Sequence, residues 1–84
     1  MLEQLIKIAN EKYDGHFTIL KFTSNYRVCF GTIFETATQT RYMAKGKTLD
    51  EAITEAINKN INDIDIDKQY RKDFKLNKLY WYNN

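Results

Sequence analysis

The segment from residue 48 to residue 61 places the tightest constraint on how this chain folds. Its first four residues, Thr48-Leu49-Asp50-Glu51, have the form of a capping box, in which the threonine hydroxyl accepts from the glutamate amide and the carboxylate reaches back. Apolar residues then recur at helical spacing, at Leu49, Ala52, Ile53, Ala56, Ile57 and Ile61. The pattern predicts an amphipathic helix over residues 49–62, whose apolar stripe must be buried against a second layer.

Two segments upstream are rich in aromatic and branched residues and predict a β-hairpin. They are His16–Phe22 and Tyr26–Phe34, and the polar run Thr23-Ser24-Asn25 separates them. A three-residue turn there places Leu20 opposite Val28 and predicts a core face of Leu20, Phe22, Tyr26, Val28 and Phe30. The outer face then carries Phe17, Ile19, Lys21, Arg27 and Cys29, and a slip of one residue would exchange the two faces.

A third strand is predicted from about Ala37 to Ala44, after a turn near Glu35-Thr36. Helical spacing predicts an N-terminal helix over residues 2–13 that ends at Asp14-Gly15, where glycine can adopt the left-handed conformation. The elements predict an α+β fold of order α-β-β-β-α, with a three-stranded antiparallel sheet, as a core domain over residues 1–66.

The last part of the chain, residues 67–84, has a different character. Tyr70, Phe74 and Trp81 fall at helical spacing, which predicts an additional helix near residues 67–80, with an extended tail as the alternative. Five of the twelve aromatic residues lie in the last seventeen positions. This much apolar area is atypical of a free disordered tail, so we expect the segment to dock on its own domain, a second copy or a partner.

Length and composition exclude several classes of protein. A chain of 84 residues holds one small domain and has no room for a separate cofactor domain. The chain has no proline, three glycines and one cysteine, which excludes a glycine-rich phosphate loop, an internal disulfide and a multi-cysteine zinc cluster. No signal peptide and no apolar run long enough to span a membrane is present, so a cytoplasmic location is expected.

The net charge of +2 conceals three segments of alternating sign. Residues 1–47 carry +3, residues 48–67 carry −5 and residues 68–84 carry +4, counted from their lysines, arginines and carboxylates. The acidic residues form a candidate surface that attracts basic partners, with a merely solvated edge as the alternative: Glu51, Glu55, Asp63, Asp65 and Asp67. The C-terminal segment adds cations and aromatic rings of the kind that dominate protein interfaces: Tyr70, Arg71, Lys72, Lys75 and Trp81.

A second candidate surface is basic. On the predicted register Lys21 and Arg27 share the outer face of the sheet with Arg41, and Lys45 and Lys47 follow the third strand. Basic residues interleaved with exposed aromatic rings bind single-stranded nucleic acid through phosphate contacts and base stacking. The competing interpretation is that the C-terminal segment covers this face.

No residue pattern predicts catalysis or metal binding. Cys29 and His16 are single residues of their kinds, and a zinc site would need two further ligands. Asp63, Asp65 and Asp67 resemble the start of a calcium loop, but its sixth and twelfth positions are Lys68 and Phe74 instead of glycine and glutamate. We therefore expect no metal, no cofactor and no enzymatic activity.

The predicted order of elements, together with Lys45-Gly46-Lys47-Thr48 before the last core helix, resembles the double-stranded-RNA-binding domain over residues 2–62. In that family lysines at the start of this helix grip phosphates across the major groove. The resemblance implies such a role for Lys45 and Lys47, whereas Asp50, Glu51 and Glu55 would repel phosphate.

A second resemblance is to small phage and prophage accessory proteins. It rests on stretches such as Tyr13-Asp14-Gly15-His16-Phe17-Thr18 and Val28-Cys29-Phe30-Gly31-Thr32, and on a short, proline-free chain of uneven charge. That group includes anti-CRISPR proteins and other inhibitors of host defence. It implies a non-enzymatic protein, monomeric or homodimeric, that inhibits a host nucleic-acid-handling protein by surface binding. The alternative is a small RNA- or DNA-binding module that uses the basic face.

Overall fold

The computed structural model describes the backbone of residues 1–82 and the side chains of residues 1–74. Its elements are α1 (Leu2–Lys12), β1 (Phe17–Lys21), β2 (Tyr26–Phe30), α2 (Thr36–Gln39), a 3-10 turn (Thr40–Tyr42), β3 (Ala44–Gly46), α3 (Leu49–Lys59) and α4 (Asp63–Tyr82). The three strands form one antiparallel sheet in the order β1-β2-β3. The predicted α+β fold with a three-stranded antiparallel sheet and a further C-terminal helix is confirmed.

The predicted register of the hairpin is wrong by one residue. The Phe22 amide donates to the Asn25 carbonyl at 2.8 Å, so the turn has two residues instead of three. Ile19 consequently pairs with Val28, and Leu20 pairs with Arg27. Because neighbouring residues of a strand point to opposite faces, the shorter turn moves Ile19 to the core face and Leu20 to the outer face.

The predicted third strand over residues 37–44 is also wrong in its extent. Residues 36–42 form α2 and the 3-10 turn, and β3 contains three residues. The cause is the side chain of Gln39, which is buried and accepts from the amides of Phe34 and Glu35 at 3.3 Å each. These amides begin a helical turn and have no other partner there. The burial of the Gln39 side chain therefore stabilises helical turns in this segment instead of a strand.

The inner layer consists of α1 and α3, which pack on one face of the sheet. Its buried residues are Leu5, Ala9, Val28, Phe30, Ala44, Ala52, Ile53 and Ala56. The predicted capping box is present, since the Thr48 hydroxyl accepts from the Glu51 amide at 3.1 Å. The Glu51 carboxylate reaches back to the amide of Lys47 at 2.9 Å. At the end of α1, Gly15 adopts a φ of +79°, as predicted for the residue that closes this helix.

The outer layer is formed by α4 and the segment before β3. Ile66 of α4 packs with Cys29, Ile33 and Met43 on the face opposite α1 and α3. The helix begins at Asp63, four residues earlier than predicted, because the Asn62 side chain caps it by accepting from the Asp65 amide at 3.0 Å. Helices therefore pack on both faces of the sheet, and Lys45 on the outer face stays exposed.

A parallel bridge joins β2 to the start of α4. The Phe30 amide donates to the Ile61 carbonyl at 2.9 Å, and Phe30 and Asn62 form an isolated parallel pair. This pair occupies the side of β2 that the short β3 leaves free beyond Val28. Within residues 1–82, no helix has the length and apolar character needed to cross a membrane.

Candidate functional site

Two large apolar side chains stand exposed side by side on the outer layer. Phe34 is 71% exposed and Ile64 is 61% exposed, and both line a shallow depression of about 290 Å³. The depression is bounded further by Thr32, Gln39, Asp63, Asp67 and Lys68. We call this set of residues the Phe34–Ile64 surface. Neighbouring exposed apolar side chains with a polar rim are the kind of feature that marks a candidate site for another macromolecule.

The loop that carries Phe34 is held at both ends by side chains. At its start, Gly31 has a φ of +77°, and the Asp63 carboxylate lies where a Cβ would stand. Asp63 also accepts from the Thr32 amide at 3.2 Å. At the other end, Gln39 accepts from the Phe34 amide. Because the backbone on both sides of Phe34 is held, the loop itself has little backbone entropy to lose on binding.

The three aspartates at the start of α4 all have partners within the fold. Asp63 bonds the Thr32 amide, and Asp65 accepts from the Asn62 side chain at 3.0 Å. Asp67 accepts from Gln39 at 3.2 Å and from Arg71 at 2.8 Å. These contacts orient the carboxylates but leave lone pairs free, since each carboxylate has about four acceptor positions.

The other two predicted acidic residues lie on α3, in the inner layer. Glu51 belongs to the capping box, and Glu55 forms an ion pair with Lys59 at 2.7 Å. No hydrogen bond or ion pair among the described side chains links either glutamate to the aspartates of α4. The five acidic residues are therefore divided between two layers.

An aromatic and polar cluster lies further along α4. Tyr42, Tyr70, Asp73 and Phe74 line a depression of about 200 Å³, together with Thr38 and Arg41. The Tyr42 hydroxyl donates to Asp73, and this bond lowers the pKa of the Asp73 carboxyl and raises the pKa of Tyr42. The Tyr70 and Phe74 rings lie 6.3 Å apart, and the Arg41 guanidinium lies 5.5 Å from the centre of the Tyr42 ring.

Of the predicted C-terminal contact residues, Tyr70 is half-buried in this cluster, and Arg71 and Lys72 are exposed. The side chains of Lys75 and Trp81 lie outside the part of the chain whose side chains the structure describes.

The basic residues predicted for nucleic-acid binding are divided between the two faces of the sheet. Arg27 and Lys45 lie directly opposite each other on the outer face, where Arg27 is held by the Asn25 side chain and the Thr40 carbonyl. Lys21 does not share this face, because the corrected register places it opposite Tyr26, whose ring lies 5.1 Å from its ammonium. Arg41 stacks on Tyr42, away from the strands.

Lys45 and Lys47 line a wide, open depression of about 630 Å³ between the β1–β2 turn and the start of α3. Its remaining lining consists of Ser24, Asn25, Gly46 and Glu51. Three of the five predicted basic residues are thus brought together, since Lys45 and Lys47 share this depression and Arg27 lies opposite Lys45.

Cys29 and His16 lie in different environments. Cys29 is fully buried, and burial raises the pKa of its thiol to about 12, so the thiol stays protonated at neutral pH. His16 is exposed at the start of β1. Among the described residues, no group of three or more histidine, cysteine or carboxylate side chains is placed to hold a metal ion.

Sequence reasoning missed Phe34, Ile64 and Gln39. The strand pattern of Tyr26–Phe34 predicts Phe34 at the end of a strand, although Gly31 interrupts the apolar alternation three residues earlier. A helix over Asp63–Asp67 would predict an exposed isoleucine. Ile64 and Ile66 point about 200° apart on a helix, so one of them faces away from the core. No local signal distinguishes Gln39 from the polar residues around it.

Comparison with known proteins gives no relative from which a function can be transferred. No protein-family model, curated protein or solved structure matches this chain.

Proposed function

We propose that this chain is a non-enzymatic interaction protein that binds another protein through the Phe34–Ile64 surface. The observation that carries the proposal is the exposure of Phe34 and Ile64 around a single depression. Phe34 lies on a loop whose backbone is held by Asp63 and Gln39, and Ile64 lies in the first turn of α4. Aromatic residues, phenylalanine among them, are enriched in the buried cores of protein interfaces, and Ile64 adds apolar area beside the Phe34 ring.

The charge around this surface favours a basic partner. Residues 63–69 carry three carboxylates and one ammonium group, from Asp63, Asp65, Asp67 and Lys68. Proteins that handle nucleic acids present basic grooves, and an apolar contact with an acidic border is complementary to such a groove. We therefore propose that the partner is a host nucleic-acid-handling protein in the cytoplasm, inhibited in the anti-CRISPR manner by a phage or mobile-element product.

The experiment compares capture of partners from a bacterial host lysate by three forms of the tagged protein, each with and without nuclease. The wild type is expected to retain a partner that survives nuclease treatment. The Phe34→Ala/Ile64→Ala variant is expected to lose it. The matched control is Leu2→Ala/Ile6→Ala, which removes two exposed apolar side chains from α1 and should behave like wild type.

Two outcomes would contradict the proposal. If the Phe34→Ala/Ile64→Ala variant retains the partner as well as wild type does, the binding surface lies elsewhere. If nuclease treatment releases the partner from all three forms, a nucleic acid bridges them and the alternative function is favoured. Circular dichroism of each variant establishes that the fold is intact before the comparison is made.

The alternative function is a small RNA- or DNA-binding module, and the depression beside Lys45 and Lys47 favours it. Arg27 and Lys45 stand opposite each other on neighbouring strands, an arrangement of like charges that costs stability in the absence of an anion. Binding of this kind weakens steeply with salt. We expect Lys45→Glu/Lys47→Glu to abolish it and the control Lys7→Glu/Lys12→Glu on α1 to weaken it far less. An absence of binding to single-stranded and duplex RNA and DNA at low salt would remove this alternative.

A further inference from the structure

The outer edge of β1 presents backbone groups that no part of the described chain pairs. β1 is the outermost strand of the sheet. The Phe22 amide and the His16 carbonyl both point toward the β2 side, since they bond Asn25 and Gly31. Backbone groups alternate in direction along a strand, so Thr18 and Leu20 also face β2. The N–H and C=O groups of the intervening residues, Phe17, Ile19 and Lys21, therefore face outward.

This edge carries one of the devices that normally prevent strands from pairing, the charged residue Lys21, and lacks the others that are common, proline and a bulge. β1 contains no proline, and its register with β2 runs without a bulge from residue 17 to residue 21. Its one charged residue, Lys21, turns its ammonium to the Phe22 carbonyl and to the Tyr26 ring of its own chain. No hydrogen bond within the described residues uses the outward backbone groups of Phe17, Ile19 or Lys21. The edge is open to another strand.

We propose that β1 pairs with β1 of a second copy of this chain, antiparallel and centred on Ile19. The outward-facing residues are placed symmetrically about Ile19, so a two-fold axis there sets Ile19 opposite Ile19 and Phe17 opposite Lys21 of the second copy. Each outward N–H then meets an outward C=O, which gives about six hydrogen bonds between the two strands. Three strands from each copy become one continuous sheet.

The side chains and charges fit this arrangement. Two isoleucine side chains meet at the axis, and each Lys21 stem lies beside the Phe17 ring of the other copy. The two Lys21 residues are separated by four residues along the strands, about 14 Å. This exceeds the Debye length of about 8 Å at physiological salt, so their repulsion is largely screened. A shift of register by two residues would leave outward groups at both ends unpaired.

Site-directed cross-linking tests the register. Residues at position 19 of the two copies lie about 5.5 Å apart, whereas residues at position 17 lie about 14 Å apart. A bismaleimide reagent shorter than the second distance should therefore link Ile19→Cys to itself and leave the matched Phe17→Cys variant monomeric. Cys29 is buried and does not compete. Cross-linking of both variants alike, or of neither, would overturn the proposal.

The wild-type protein provides a second measurement that does not depend on a variant folding. Amide hydrogen exchange by NMR should slow with protein concentration at Phe17, Ile19 and Lys21, while Thr18 and Leu20 stay equally protected throughout. Exchange at the three outward amides that does not depend on concentration overturns the proposal. Protection that develops only when another protein is added does so too, because the occupant is then a strand of that protein.

The inference is independent of the proposed function, since β1 and the Phe34–Ile64 surface share no residue. The Phe34→Ala/Ile64→Ala variant should dimerise like wild type, and a monomeric wild type would leave the proposed binding surface untouched.

Discussion

The side chain of Gln39 donates to the Asp67 carboxylate at 3.2 Å, and this bond joins α2 to α4 across the outer layer. The same side chain accepts from two amides of the loop that carries Phe34. Gln39 is 1% exposed, so its own amide group has no access to water and depends on these three bonds. One buried polar residue thus connects the docking of α4 to the conformation of the proposed binding surface.

Replacement of Gln39 by leucine should lower the free energy of unfolding by about 1–3 kcal/mol, because the amides of Phe34 and Glu35 lose their acceptor and Asp67 loses a donor. Urea denaturation followed by circular dichroism measures the change. The matched control is Gln69→Leu, which removes an exposed amide bonded to Asp73 and should cost no more than about 0.5 kcal/mol. Equal losses in the two variants would contradict a special role for Gln39.

Replacement of Gly31 by alanine should destabilise the protein by at least about 2 kcal/mol, because alanine is strained at positive φ and its Cβ would overlap the Asp63 carboxylate. Thermal and urea unfolding measure the loss. Combination with Asp63→Ala should cost less than the sum of the single changes, since the overlap then disappears. Strict additivity would show that the two residues do not contact each other.

Cys29 should make stability depend on pH above neutrality. Burial raises the pKa of the native thiol from its ordinary value of 9.0 to about 12. The unfolded chain therefore loses this proton first, and the stability contributed by the protonated thiol is present below pH 9.0 and is lost as the pH rises toward 12. The difference in unfolding free energy between wild type and Cys29→Ala, measured across this range, should fall with pH. A constant difference would contradict the burial of the thiol.

The bond from Tyr42 to Asp73 should be visible in the titration of Asp73. The Tyr42 hydroxyl holds the pKa of this carboxyl below its ordinary value of 3.8. The corresponding stability is present above pH 3.8 and is lost as the pH falls through the lowered pKa. NMR titration of the Asp73 carboxyl carbon in Tyr42→Phe should show the pKa returning upward. Tyr70→Phe, which leaves the bond intact, is the control and should titrate like wild type.

The parts of the fold that the sequence predicts well are those that local interactions determine. The helix from Leu49 follows from its own capping box and apolar spacing. The helix at the N-terminus ends at Lys12 for a similarly local reason, since Asp14 and Gly15 follow it at positive φ. Neither prediction requires knowledge of what packs on the helix.

The errors occur where distant contacts decide. The hairpin register depends on one bond between Phe22 and Asn25, and the preceding residues are apolar enough to fit either face. That one-residue error assigns Lys21 to the same face as Arg27. It also assigns the wrong backbone groups of β1 to its outer edge. Residues 36–42 form helical turns because Gln39 finds partners in a loop and in α4, 28 positions away. The exposure of Phe34 follows from the same contacts.

The bridge between Phe30 and Asn62 fixes the direction of α4 at its first residue. From Asp63 to Tyr82 the helix has 20 residues, which gives it a length of about 30 Å. A rotation of about 10° at its first turn would carry its far end through about 5 Å. The bonds from Gln39 to Asp67 and from Tyr42 to Asp73 oppose such a rotation, so these two contacts together with the bridge determine where the rest of the helix lies.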